Sequence, residues 1–161
     1  MKKLQGVKEL NEKHLNSFYL KHRKLLVDWM CEIGDLIKMA QSTIHHSVNI
    51  MDLYFSIPEI KVSPCEEGKR KLQLITLTSL FISAKFNEKD SRGPTARDIS
   101  QITKSKYSEQ EIIEMELTIL KTVQWDLMMK TPSDYISLFL YQGVVFSDDT
   151  VRSSLEHLRE V

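Results

Sequence analysis

The feature that most constrains the fold is a stretch of 13 residues without a charge, from Leu72 to Ala84. Large apolar side chains occur there at positions that point in every direction around a helix, with Thr, Ser and Ala between them. A helix that is apolar on all sides is a buried one. The stretch is too short and too polar to span a bilayer. We therefore expect residues 70–86 to form the central helix of a helical bundle.

Further helices are predicted along the rest of the chain. The segments are residues 23–39, 43–56, 95–104, 108–123, 133–141 and 148–159. Glycine and proline are scarce and fall mostly between these segments, and no alternating strand pattern is present. Ser108 and Glu111 have the spacing of a capping box, and Ser133 is expected to cap the helix that follows it. The sequence predicts an all-α fold.

Charge and cysteine content exclude several classes of function. The 161 residues contain 22 Lys+Arg and 22 Asp+Glu, so the formal net charge is zero. A balanced chain lacks the basic excess of a nucleic-acid binder and has no general affinity for anionic membranes. Residues 1–20 show no apolar segment typical of a secretory signal. Cys31 and Cys65 lack CxxC spacing, which favours free thiols in a reducing compartment.

Two charged residues fall on apolar faces of predicted helices. Lys85 closes the uncharged stretch, and Glu116 lies inside an apolar stripe between Ile112 and Ile119. A buried charge without a partner costs several kcal/mol. Two interpretations remain open at this point: a helix-terminal lysine with a glutamate at the edge of its stripe, or two charges that reach a site on another protein.

No catalytic or metal-binding pattern is visible. The five glycines are isolated, so no phosphate-binding loop is present. His45 and His46 are adjacent and would splay apart on a helix, which disfavours a shared metal ion. Cys31, in the first predicted core helix, is expected to be a buried inert thiol. We expect no cofactor, no metal and no enzymatic activity.

Four segments resemble the cyclin box in their order and spacing, from about residue 22 to residue 135. They are Arg23–Met30 (RKLLVDWM), Thr43–Asp52 (TIHHSVNIMD), Lys71–Leu74 with Ser83–Phe86 (KLQL and SAKF), and Met115–Glu116 with Trp125–Leu127 (ME and WDL). The first most resembles the cell-cycle cyclins of the A and B type.

The resemblance implies a domain organisation. It consists of an N-terminal helical extension at residues 1–21, a five-helix cyclin box around a central buried helix at residues 22–130, and the start of a second helical repeat at residues 131–161. Apolar residues such as Tyr135, Leu138 and Phe139 would be covered by a full second repeat. The chain is therefore expected to be a fragment, or to cover these faces with the first box or a second copy.

The resemblance also implies how the chain would bind a cyclin-dependent kinase. The residues that match Lys85 and Glu116 bind the backbone flanking the C-helix of the kinase. Those that match Phe86, Trp125 and Leu127 pack on that helix, and the one that matches Glu88 is an acid beside them. Those that match Arg23 and Asp52 form a structural ion pair; the residues alone leave a solvated face open as the alternative for Asp52.

A second implied surface is a docking patch for Arg-x-Leu motifs of substrates or inhibitors. Its apolar floor and amide match Leu25, Leu26, Trp29 and Gln73, and its acid matches Glu32. The family has Met where this chain has His22, and Ala where it has Lys24, so the patch is more polar here.

These features together predict a non-enzymatic regulatory subunit. It would bind and activate a cyclin-dependent kinase, act in cell-cycle progression and lie in the nucleus and cytoplasm. The alternative hypothesis is a cyclin-fold scaffold or transcription-factor-like domain that does not activate a kinase. Such domains tend to be basic, whereas this chain is neutral.

Overall fold

The structure, a computed structural model, describes residues 17–88 and 93–143. Within these two ranges the regular structure consists of helices, without a strand. The helices are α1 (Ser17–Leu36), α2 (Gln41–Phe55), α3 (Glu66–Asn87), α4 (Ala96–Ile102), α5 (Glu109–Thr122) and α6 (Pro132–Tyr141). The predicted all-α class is confirmed.

The third helix is the centre of the bundle. It packs against α1, α2, α4 and α5, and its segment from Leu74 to Ala84 is buried without interruption. Thr76 and Thr78 return their hydroxyls to the carbonyls of Leu72 and Leu74, at 2.9 and 2.8 Å, so their polar groups are satisfied inside the helix. The uncharged stretch therefore folds as predicted, because only a helix surrounded by others can bury apolar groups on all sides.

Helices α5 and α6 both begin with a capping box. Ser108 and Glu111 form the predicted capping box, which is confirmed. The expected cap of α6 is wrong: Thr131 and Asp134 form a capping box there, and Ser133 lies inside the helix. The reason is Pro132, which occupies the first helical position, where its missing N–H costs nothing, so the cap must precede it.

Helix α1 begins earlier than its apolar period predicts. It already includes Ser17, the first described residue, so the expected boundary between residues 21 and 22 falls inside a helix. The cause is Tyr19, which is fully buried and stacks on Phe55 with ring centroids 4.0 Å apart. Helix α4 is shorter than predicted. The helix predicted at residues 148–159 and most of the extension at residues 1–21 lie outside the described residues.

Helices α1 and α2 approach closely at Gly34. A Cβ atom there would lie 2.5 Å from Cδ1 of Ile44, so glycine permits this contact. In the described part of the chain, no helix combines the length and the apolarity needed to cross a membrane.

Candidate functional site

The two charges singled out in the sequence meet across α3 and α5. Nζ of Lys85 donates a hydrogen bond to Oε1 of Glu116 at 2.7 Å. The Lys85 side chain is 53% exposed and Glu116 is 12% exposed, so the pair lies at the surface with the carboxylate partly sunk between the helices. Nζ of Lys85 also lies 5.0 Å from the centre of the Phe81 ring. Each charge therefore has an intramolecular partner while remaining reachable from solvent.

Exposed aromatic residues occur in the same part of the chain. Phe86, which follows Lys85, is 48% exposed, and Trp125, after the end of α5, is 62% exposed. We call Lys85, Phe86, Glu116 and Trp125 the ion-pair surface. Large apolar groups in water cost free energy, so exposed aromatic side chains are candidates for burial by another protein.

The backbone that holds Trp125 is unusual. Gln124 and Trp125 have φ angles of +58° and +60°, in the left-handed region that bulky residues rarely adopt. The conformation is fixed because the Trp125 N–H donates to the Leu120 carbonyl at 2.9 Å. Left-handed backbone at a residue other than glycine costs about 1 kcal/mol or more, and such strain is typical of functional positions.

A buried histidine, His46, packs against one residue of this surface, Phe86. His46 is 3% exposed and stacks on Phe86, with ring centroids 5.4 Å apart. Its Nε2 donates to the carbonyl of Leu127 at 2.7 Å, which leaves Nδ1 to accept from the amide of Asn87 at 2.8 Å. This network joins α2, α3 and the segment after α5. The sequence interpretation missed it, although the spacing of His46 and Ile50 along α2 is the signal that places both on the buried face.

Two residues of the predicted kinase-binding set have other contacts. Leu127 is 8% exposed and belongs to the hydrophobic core, so little of it is left to contact a partner, and its packing on a kinase helix stays a prediction. Leu127 lies in a segment that is not helical, so no helical periodicity in the sequence indicates whether its side chain faces the core or the solvent. Oε1 of Glu88 accepts from the Thr43 hydroxyl at 2.7 Å and from the Ala40 N–H at 3.0 Å. Glu88 thus caps the start of α2.

Arg23 and Asp52 lie in bidentate contact between α1 and α2. Nε and Nη2 of Arg23 donate to Oδ1 and Oδ2 of Asp52 at 2.8 and 2.7 Å. The Tyr19 hydroxyl donates to the same carboxylate. Burial, followed by the charge of Asp52, raises the pKa of Tyr19, and the hydrogen bond to Asp52 raises the pKa of Arg23. The solvated face left open for Asp52 is excluded, since this residue is 6% exposed.

A cleft of about 420 Å³ lies between α1, α3 and the linker from α4 to α5. We call it the docking cleft. Three of the five predicted docking residues, Trp29, Glu32 and Gln73, line it. Leu25 is 67% exposed but does not line the cleft, and Leu26 is 5% exposed and faces the core. Leu25 and Trp29 are four residues apart and share one face of α1, whereas Leu26 is turned by about 100° from Leu25 towards the core. The place of both leucines in the docking patch stays a prediction.

The amide of Gln73 has a defined orientation in this cleft. Its Oε1 accepts hydrogen bonds from the Tyr107 hydroxyl, at 3.0 Å, and from Nζ of Lys106. Both lone pairs of the amide oxygen are therefore used, and the NH₂ group is the part left to donate to a ligand.

The described residues were predicted to hold neither a metal site nor a reactive thiol, and their His, Cys, Asp and Glu side chains bear on both points. Across residues 17–88 and 93–143, no group of three His, Cys, Asp or Glu side chains is placed to hold a metal ion. Cys31 is partly buried, and desolvation, followed by the nearby charges of Asp35 and Asp28, raises the pKa of its thiol. A raised pKa makes a thiol less nucleophilic at neutral pH. Cys65 accepts from the Gly68 N–H at 3.4 Å and caps α3.

The described residues form a helical bundle with two solvent-accessible features, the ion-pair surface and the docking cleft. The chain belongs to the cyclin family: the Cyclin, N-terminal domain matches residues 2–128. It is 28% identical over 141 residues to Cyclin-B1-1 of Arabidopsis thaliana, which covers 88% of this chain and 30% of that protein. It is 32% identical over 114 residues to G2/mitotic-specific cyclin-B2 of Rana japonica, covering 71% and 27%. It is 27% identical over 139 residues to G2/mitotic-specific cyclin-A of Hydra viridissima, covering 86% and 31%.

The resemblance to cyclins of the A and B type is thus confirmed. The chain spans about 30% of the length of these curated relatives.

Proposed function

We propose that this chain is a regulatory, non-enzymatic cyclin that binds and activates a cyclin-dependent kinase through the ion-pair surface. The observation that carries the proposal is Trp125, an exposed indole held on left-handed backbone in the same domain as an accessible ion pair. As a partner of a cell-cycle kinase, the chain would act in the nucleus and cytoplasm.

The ion pair suits recognition of a peptide backbone. The ammonium of Lys85 has three N–H donors, of which Glu116 takes one in the described contacts. The carboxylate of Glu116 keeps acceptor positions for N–H groups of a partner. A donor and an acceptor 2.7 Å apart can therefore bind a carbonyl and an N–H of the chain flanking a kinase helix without losing their own contact.

Activation would follow from a population shift. The mobile C-helix of a kinase supplies the glutamate that pairs with its catalytic lysine. A cyclin stabilises the active arrangement only to the extent that it binds that arrangement better than the inactive one. Exposed aromatic side chains such as Phe86 and Trp125 are suited to this selection, because they lose their favourable burial when the helix is displaced.

The test is histone phosphorylation by a purified cyclin-dependent kinase with and without this chain. We expect stimulation by the parent chain and a loss of about tenfold or more in Lys85→Ala, since hot-spot truncations cost 2 kcal/mol or more. Lys71→Ala is the matched control, because Lys71 is an exposed lysine on the same helix. Equal stimulation by both variants would refute the assignment of this surface.

Binding without activation is distinguished by a pull-down of the same kinase. Glu116→Lys places two positive charges together and should abolish capture without unfolding the chain, which circular dichroism checks. Capture of no kinase from a panel would favour the scaffold hypothesis instead.

The docking cleft supports a second candidate function, recognition of Arg-x-Leu motifs. Glu32 supplies a carboxylate for the cation of the motif, and the free NH₂ group of Gln73 supplies a donor for a backbone carbonyl. Fluorescence anisotropy with a labelled Arg-x-Leu peptide tests this. Glu32→Gln should weaken binding, whereas Asp28→Asn, an exposed control on the same helix, should not.

A further inference from the structure

The docking cleft has a basic wall opposite α1. Lys104 and Lys106 line it from the linker between α4 and α5, whereas Glu32 lines it from α1. The apolar residues Trp29 and Ile33 lie on the α1 side. The cleft therefore combines apolar surface with a carboxylate on one wall and two ammonium groups on the other.

The linker that carries the two lysines is held in a defined turn. Lys104 and Ser105 have φ angles of +53° and +57°, and the Ser105 N–H donates to the Ser100 carbonyl at 2.9 Å. Tyr107 is fully buried, and its carbonyl accepts from the Ser100 hydroxyl at 2.7 Å. These bonds anchor both ends of the turn, so the positions of the lysine backbones are fixed by the core.

The Lys106 side chain is also directed. Its ammonium lies 5.6 Å from the centre of the Tyr107 ring and donates to Oε1 of Gln73. One hydrogen bond to a neutral amide uses one of its three N–H groups and leaves two of them for a ligand. Lys104 is exposed at the other end of the same turn.

The two acids with nearby ion pairs have cationic partners outside the cleft. Oε1 of Glu66 accepts from Nζ of Lys69 at 2.6 Å, and Glu111 is paired with Arg70. The hydrogen bond from Lys69 lowers the pKa of the Glu66 carboxyl, and the charge of Lys106 contributes to a smaller extent. Because the cleft itself is lined by two lysines and one glutamate, its lining carries a net positive charge that favours an anionic group.

We propose that the docking cleft selects peptides in which an acidic residue follows the apolar anchor, so that its carboxylate pairs with Lys104 and Lys106. The proposal rests on the docking function proposed above and specifies its ligand. In this arrangement the arginine of the motif pairs with Glu32, and its leucine packs against Trp29 and Ile33. The carboxylate of a residue that follows the leucine then lies against Lys104 and Lys106. The cleft thus recognises a charge order, basic then apolar then acidic.

The experiment measures fluorescence anisotropy with three labelled peptides. They share one Arg-x-Leu core and differ in having glutamate, glutamine or lysine at the second position after the leucine. We expect the glutamate peptide to bind about two- to fivefold more tightly than the glutamine peptide, and the lysine peptide more weakly than both, as for exposed charge pairs. The preference should shrink as salt is raised.

The variant Lys104→Gln/Lys106→Gln should remove the preference and leave binding of the glutamine peptide unchanged. Lys61→Gln/Lys121→Gln is the matched control, because both lysines are exposed and neither lines the cleft. Equal affinity for the three peptides, or a preference that survives in the variant, would overturn the acidic selection while leaving peptide docking intact. Absence of binding by every peptide would refute docking itself and this selection with it.

Discussion

Two of the ion pairs that join helices in the described residues differ in how fully their charged groups are engaged. Arg23 and Asp52 connect α1 to α2 through two hydrogen bonds, and their side chains are 39% and 8% exposed. Lys85 and Glu116 connect α3 to α5 through one hydrogen bond, and their side chains are 53% and 12% exposed. The first pair is the more buried of the two and engages both oxygens of its carboxylate, so we assign it to the fold. The second, more accessible pair keeps donors and acceptors for a partner.

The buried pair also has a third member. The Tyr19 hydroxyl donates to the carboxylate of Asp52, so this one residue holds two side chains of α1. Since α1 packs on both α2 and α3, loss of this contact would loosen one side of the central helix.

The largest effect is expected for Asp52→Ala. Removing the carboxylate leaves Arg23 and Tyr19 without their shared partner, so the free energy of unfolding should fall by about 3 kcal/mol. Urea denaturation followed by circular dichroism measures it, with Asp28→Ala, an exposed residue of α1, as control. A loss below about 1 kcal/mol would show that the buried pair is no more structural than a surface pair.

A smaller loss is expected for Tyr19→Phe, about 2 kcal/mol, because a buried hydrogen bond to a charged group is removed while the ring stays in place. The raised pKa of Tyr19 adds a pH dependence. The folded state favours the neutral phenol, so this stability is complete below the ordinary pKa of 10.0 and is lost as the pH rises above it.

Unfolding measured between pH 8 and about 11 should therefore show a shallower decline in Tyr19→Phe than in the parent chain. Tyr135→Phe is the control, because Tyr135 is 47% exposed. A parallel decline in the parent chain and in Tyr19→Phe would contradict the role of the Asp52 carboxylate.

The pair of Arg70 and Glu111 is intermediate, since both side chains are about one-third exposed. The Ser108 N–H, followed by the Arg70 guanidinium, lowers the pKa of Glu111 from 4.5 to about 2. This stability is present above pH 4.5 and is lost as the pH falls towards 2. Solvent screening limits it to about 1 kcal/mol. Glu111→Gln should lower the free energy of unfolding by that amount at pH 7. Between pH 4.5 and about 2, the free energy of unfolding of this variant should fall less steeply with decreasing pH than that of the parent chain. An equally steep fall in both chains would refute this role of Glu111.

The sequence could predict what depends on local pattern. The central helix follows from apolar residues on all sides, and the start of α5 follows from Ser108 and Glu111. The sequence also indicates Thr131 as the cap of α6, because proline is favoured at the first helical position and the cap precedes it.

Contacts that depend on how helices pack could not be predicted in the same way. Lys85 and Glu116 are 31 residues apart, and only the packing of α3 on α5 shows that each is the other's partner. Leu127 lies in an irregular segment, where no period tells the core from the surface. The wall of Lys104 and Lys106 depends on a turn anchored by Tyr107, a residue whose burial no local pattern indicates.

The smallest effect on stability is expected for the pair of Lys85 and Glu116. Its coupling energy can be compared directly with that of Arg23 and Asp52. A double-mutant cycle with Lys85→Ala and Glu116→Ala should give a coupling energy below about 1 kcal/mol, whereas the cycle with Arg23→Ala and Asp52→Ala should give a clearly larger one. Equal coupling energies would mean that neither the second hydrogen bond nor the lower exposure of Arg23 and Asp52 separates the two pairs. Lys85 and Glu116 would then be held for the fold, and a partner would have to compete with their contact rather than add to it.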